Sequence, residues 1–102
     1  MESFHYPFIL GENYEKWEFD LEVLDKERIK GCDSYIYLEP VILYGERAEH
    51  VEMIFSMDIL IAVLIKFTPS IFHFLISNIE ILSAYQVDFI NNILFYESSN
   101  TI

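Results

Sequence analysis

Glu18, Asp20 and Glu22 occupy every second position of WEFDLEVL, with Trp17, Phe19, Leu21 and Val23 between them. Side chains two apart on an extended strand share a face and stand about 6.5–7 Å apart. The spacing therefore predicts three carboxylates in a row. Such a row has three uses: holding a divalent cation, meeting a cationic protein surface, or keeping one side of a half-buried sheet wet. Parallel carboxylates on one strand do not converge on a single ion as oxygen ligands must, which makes the metal reading the weakest. Neighbouring acids at this distance repel by about half a kcal/mol in water, less in salt. Folding tolerates that, and a basic partner relieves it.

The remaining reactive residues do not assemble into a catalytic set. Glu46 and His50 are four apart, which on a helix gives a surface ion pair; no H-E-x-x-H accompanies them. His73 lies in the apolar IFHFLI and reads as a core or boundary histidine. Cys32 is the single cysteine, so no intrachain disulfide is possible, and no base stands near it in sequence. The three glycines, Gly11, Gly31 and Gly45, are isolated, so there is no phosphate-cradling loop, and no G-x-S-x-G elbow occurs. The nuclease pattern of a lysine two residues after an acid is missing: Tyr14, Leu24, Arg28 and Leu64 precede the four lysines at that distance. The expectation is a non-enzyme with no metal site and no cofactor.

Composition narrows the partner instead. Seventeen acids oppose six lysines and arginines, for a formal charge of −11. Nucleic acid is excluded as a direct ligand, because binding it needs cations that release phosphate counterions. An anionic membrane surface is excluded on the same ground. A basic protein is the complement, since opposite fields speed encounter and suppress wrong partners. Acidity also keeps proteins dispersed, so charge alone is compatible with a bland surface. The aromatic runs FHYPF and IFHFLI read as core, because a base-stacking platform requires positive charge beside it.

These residues must be positioned by one domain spanning 1–102, as 102 residues support a single core. At 53 % hydrophobic and 17 % aromatic, the chain is built to fold. A mean hydropathy of +0.26 leaves some apolar surface exposed, which favours a docked partner or a homodimer. The N-terminal MESFHYPFIL lacks the basic region and long apolar segment of a secretory signal. Met53 to Ile65, interrupted by Asp58, is too short to span a bilayer of about 30 Å. A cytoplasmic protein is expected.

Residues 1–50 hold twelve acids and five lysines or arginines, residues 51–102 five and one. Residues 1–45 read as a three-stranded meander: Phe4 to Leu10, the alternating Trp17 to Leu24, and Ser34 to Tyr44 broken at Pro40. DKERIKGCD at 25–33 is a charged loop. Residues 46–97 read as helical. ERAEHVEMIF opens with acids suited to a helix start, and DILIAVLIKF is either continued helix or buried strand. Thr68-Pro69 begins a helix. Ser83 with Gln86 forms a capping box before the stripe Phe89, Ile90, Ile93, Leu94; ESSNTI is a frayed tail. The predicted fold is α+β, a three-stranded antiparallel sheet packed against C-terminal helices.

In that arrangement Trp17, Phe19, Leu21 and Val23 face the helices and the acids face water. An antiparallel neighbour then turns Tyr35, Tyr37 and Glu39 outward and Ile36 and Leu38 inward. The candidate partner-binding surface is Glu15, Glu18, Asp20, Glu22, Tyr35, Tyr37 and Glu39: charge for complementarity, tyrosines for contact area. A small, acidic, cysteine-poor domain without catalytic residues resembles, in profile, bacterial immunity proteins and antitoxins. The resemblance implies a stoichiometric inhibitor that occludes the active site of a basic toxin such as a nuclease. Phage inhibitors that mimic nucleic acid share the profile. A structural or homodimeric subunit is the competing expectation, motivated by the apolar second half.

Overall fold

The structure, a computed structural model, describes residues 6–98. His5, with the start of the expected Phe4–Leu10 strand, and residues 99–102 of the expected tail lie outside the described residues. Two 3-10 turns, Tyr14–Lys16 and Glu18–Asp20, lead into β1 (Leu21–Leu24). There follow β2 (Asp33–Tyr37), β3 (Ile42–Leu43), β4 (Glu46–Arg47), β5 (His50–Ser56) and β6 (Ile59–Lys66). Two short helices, α1 (Pro69–Leu75) and α2 (Ile79–Ala84), precede β7 (Gln86–Asp88) and β8 (Ile93–Glu97). β1, β2, β5, β6, β8 and β7 form, in that order, one six-stranded antiparallel sheet; β3 and β4 form a two-stranded one.

The α+β expectation is therefore corrected: the fold is mostly β, and 46–97 is not a helical half. Residues 46–66 form three strands because two tight turns reverse the chain. Tyr44 and Gly45 (φ 53° and 80°) join β3 to β4, and Met57 and Asp58 (φ 49° and 69°) join β5 to β6. Two central residues at positive φ are what a type I′ hairpin needs, since its twist matches that of the flanking strands. The second turn uses neither Asn nor Gly, so its sequence gives no warning.

The last expected helix is likewise a hairpin. Asp88 accepts hydrogen bonds from the backbone N–H groups of Ile90 (3.0 Å) and Asn91 (3.1 Å) and from the Asn91 amide (2.9 Å). Asn92 takes φ 59°, and the chain turns back as β8. Phe89 and Ile90 are consequently exposed, while Ile93 and Leu94 are buried. The Thr68-Pro69 start does hold: Pro69 opens α1, although the Thr68 hydroxyl makes no capping bond.

The main core lies on one face of the large sheet. Val51, Met53 and Phe55 from β5, Val63 and Ile65 from β6, and Leu94 and Tyr96 from β8 pack there with Trp17, Phe67, Phe72, Leu75 and Ile81. Phe8 docks along its side, its backbone N–H donating to the buried Tyr96 hydroxyl (3.0 Å), which in turn donates to Phe8 O (2.6 Å). Ile54, Ile61 and Ala62 form a smaller cluster with Ile29, Cys32 and Leu64. Ile54 pairs with Ala62 and Phe55 with Leu60, so Ile61 is the extra residue of a β-bulge. β5 and β6 are thus apolar on both sides, which erases the period-two signal.

Candidate functional site

Two pivots build the acidic corner. The Asn13 side chain accepts from Glu15 N (2.9 Å) to start the first 3-10 turn. Trp17 N donates to Tyr14 O (3.0 Å), and Asp20 N donates to Trp17 O (2.7 Å), so Trp17 joins the two turns. Its ring is buried between Phe8 and Phe55, with centroids 5.7 and 6.3 Å away. An apolar anchor of this kind fixes backbone that has no strand partner of its own. Asp20 O then accepts from Leu38 N (2.8 Å), and β1 zips onto β2 in the register Leu21↔Tyr37 to Leu24↔Ser34.

The expected comb of carboxylates is corrected by this geometry. Glu18 and Asp20 lie in a 3-10 turn, and only Glu22 is on the strand. At three residues per turn, side chains two apart diverge by about 120° instead of standing parallel. Phe19 does not face the core but is 90 % exposed, and Val23 is 68 % exposed. Trp17 is buried and Leu21 packs against the core, as the alternation requires.

The tyrosines also turn the other way. Tyr35 and Tyr37 pack against the main core, Tyr35 beside Tyr14 and Phe55 (5.2 and 5.6 Å) and Tyr37 edge-on to Phe8 (4.9 Å). Because Glu22 pairs with Ile36, it lies on the opposite face of the sheet from both tyrosines. Burial, then the charges of Asp20 and Glu39, hold the Tyr37 hydroxyl above its ordinary value. Burial likewise raises Tyr35, followed by Tyr14 and Asp33. Because Asp20 O accepts from Leu38 N and Leu21 pairs with Tyr37, Asp20 lies alongside the Tyr37–Glu39 segment; Glu15 is exposed on the preceding turn.

The sequence reading missed the second face of the sheet. The loop between β1 and β2, exposed along most of its length, folds back over that face. Ile29 and Cys32 rest on the Ile54 cluster, and Arg28 grips Glu52 through both prongs, Nε to Oε2 and Nη2 to Oε1, each 2.9 Å. Glu52 is 3 % exposed, and this hydrogen bond raises the Arg28 pKa above its ordinary value. The signal was present: a lone acid inside VEMIF, in a stretch otherwise destined for burial, needs a cation. The expected helical pair Glu46–His50 does not form, because Glu46 lies on β4 and His50 on β5. His73 is exposed, its Nδ1 2.8 Å from Pro69 O.

Among the described residues no group of three or more His, Cys, Asp or Glu side chains is placed to hold a metal ion. No helix among them is long and apolar enough to cross a membrane. Comparison with family models, with curated proteins and with solved structures finds no match to this chain.

Proposed function

We propose that this chain is a protein-binding domain that takes a basic partner along its β1 edge, acting as a stoichiometric inhibitor of the immunity-protein or antitoxin class. One observation supports the reading. Phe19 and Val23, 90 % and 68 % exposed, are interleaved with Glu18, Asp20 and Glu22 on the outermost described strand and the turn that leads into it. Exposed apolar side chains next to acids along one edge have the composition of a docking site, with charge guiding encounter and apolar area holding the complex. An outer strand also offers unpaired backbone groups, which a partner strand can extend. Asp20 and Glu39 beside Tyr37 widen the acidic field. An enzyme that grips phosphates carries a cationic cleft, and fixed carboxylates are suited to fill it. A reducing, cytoplasmic setting accords with the lone cysteine, Cys32.

The test uses the protein captured from the native host on the immobilised chain, then purified. The Glu18→Lys, Asp20→Lys, Glu22→Lys triple variant should bind it at least about 100-fold more weakly, with unchanged circular dichroism. Wild-type affinity should fall with added salt. Full affinity in the triple variant removes this edge from the interface.

Exposure of Phe74, Ile79, Phe89 and Ile90 favours a second reading, a self-associating subunit. Sedimentation separates the two: a tight dimer insensitive to salt supports self-association.

A further inference from the structure

The second face of the sheet holds a site of opposite sign to the rest of the molecule. A cavity of about 290 Å³ is walled by Lys26, Arg28, His50 and Lys66, with Glu52 and Asn91 completing its polar lining. Topology gathers them from distant parts of the chain. His50 and Lys66 are cross-strand partners on β5 and β6, and Glu52 shares their face two residues along. The loop over that face delivers Lys26 and Arg28, and the β7–β8 turn delivers Asn91. Half of the chain's six lysines and arginines thus converge on one cavity of a protein with seventeen acids.

The acids do not neutralise it. Among the described residues the sole carboxylate in the lining is Glu52, already matched by Arg28. Asp88, which also bears on Arg28, is occupied by the Ile90 and Asn91 N–H groups and the Asn91 amide. The two ion pairs among the described residues are Lys16–Glu12 and Arg28–Glu52, so Lys26 and Lys66 have none. Two ammonium groups and an imidazole line one recess on a chain rich in acids, a lining whose chemistry suits an anion.

We propose that this cavity binds the phosphate group of a small soluble molecule, a role separate from the β1 edge. Its chemistry selects among anions. Carboxylates are recognised best by the two parallel prongs of a free guanidinium, and Glu52 has taken those of Arg28. Lysine ammoniums remain, point charges with three rotatable donors each, suited to the several oxygens of a dianion. The volume sits at the lower end of ligand pockets, which limits the guest to a small molecule. The overall charge of −11 repels an anionic membrane or a nucleic-acid backbone, so the phosphate must arrive on a diffusible compound.

Titration calorimetry and amide NMR of the full chain with inorganic phosphate and pyrophosphate test this, with acetate at matched ionic strength as comparison. Saturable one-to-one binding is expected, shifting the amides of His50, Lys66 and Asn91. Lys26→Gln and Lys66→Gln should each weaken it about tenfold or more, while Lys16→Gln and Lys30→Gln, outside the cavity, leave it unchanged. Thermal melts verify folding, and Lys26→Gln, in the exposed loop, carries the test if Lys66→Gln does not fold. Absence of saturation, equal binding of acetate, equal loss in the outside variants, or binding only to phosphatidic acid vesicles would each overturn the assignment.

Discussion

Trp17→Ala should lower the stability of the domain by about 3–5 kcal/mol, read as the shift of the urea midpoint at constant slope. The ring is buried against Phe8 and Phe55, and its loss leaves a cavity where the 3-10 turns meet the core. Set against a total of about 5–15 kcal/mol for a natural domain, that is a large fraction. Phe19→Ala, two residues on and exposed, should stay within about 0.5 kcal/mol. The pair of variants reads the local geometry: a regular strand over 17–24 would give the two residues similar effects, and the turn gives them very unequal ones. Because Trp17 joins the turns that carry Glu15, Glu18 and Asp20, Trp17→Ala should also weaken partner binding beyond what unfolding explains.

The second large effect is expected at Arg28→Ala. Removing the guanidinium leaves Glu52 buried and unpaired, a situation that costs about 3–5 kcal/mol for a fully enclosed pair. The Arg28 side chain is 37 % exposed, so water reaches part of the pair and a loss nearer about 2–3 kcal/mol is expected. Adding Glu52→Gln to Arg28→Ala removes the uncompensated charge and should recover part of the stability, which a double-mutant cycle measures directly. If Arg28→Ala were as stable as the wild type, the ion pair would have no role in holding the loop. The loop should also become more susceptible to limited proteolysis when Arg28 is lost, because Ile29 and Cys32 alone would hold it to the sheet.

Strands built on alternation were legible only where one side of the sheet meets water. Leu21 and Glu22 keep the expected faces, since β1 is outermost and its neighbours define the pattern. The alternation was extended too far toward the N-terminus, where the Asp20 N–H bond to Trp17 O closes a turn that period two mimics over four residues. β5 read as helix, and β6 stayed open between helix and buried strand, because both faces are covered, so Val51 to Phe55 and Leu60 to Val63 are buried without a break. The β7–β8 hairpin was hidden by coincidence: Phe89, Ile90, Ile93 and Leu94 are spaced for a helix, yet Asp88 and Asn92 reverse the chain between the two pairs. Spacing named Glu18, Asp20 and Glu22 but gave them one strand, where two of them lie in a 3-10 turn. The separation of Glu22 from the tyrosines was not legible, because the register that puts Glu22 opposite Ile36 is a property of the folded sheet. The cationic cavity is still further from the sequence, assembled from residues 26 to 93 across three strands, one loop and one turn.

The hairpin of β5 and β6, closed by the Met57–Asp58 turn, occupies the middle of the six strands, with β1 and β7 as the rims. Contacts close in sequence form early and at small entropic loss, so the centre is the natural nucleus and the rims join it afterwards. Amides of Met53 and Val63 should be the last to exchange with deuterium, and those of Glu22 and Val23 among the first, by local fraying that leaves the nucleus intact. The margin that carries the acids can therefore breathe, opening its outer strand without unmaking the domain it belongs to.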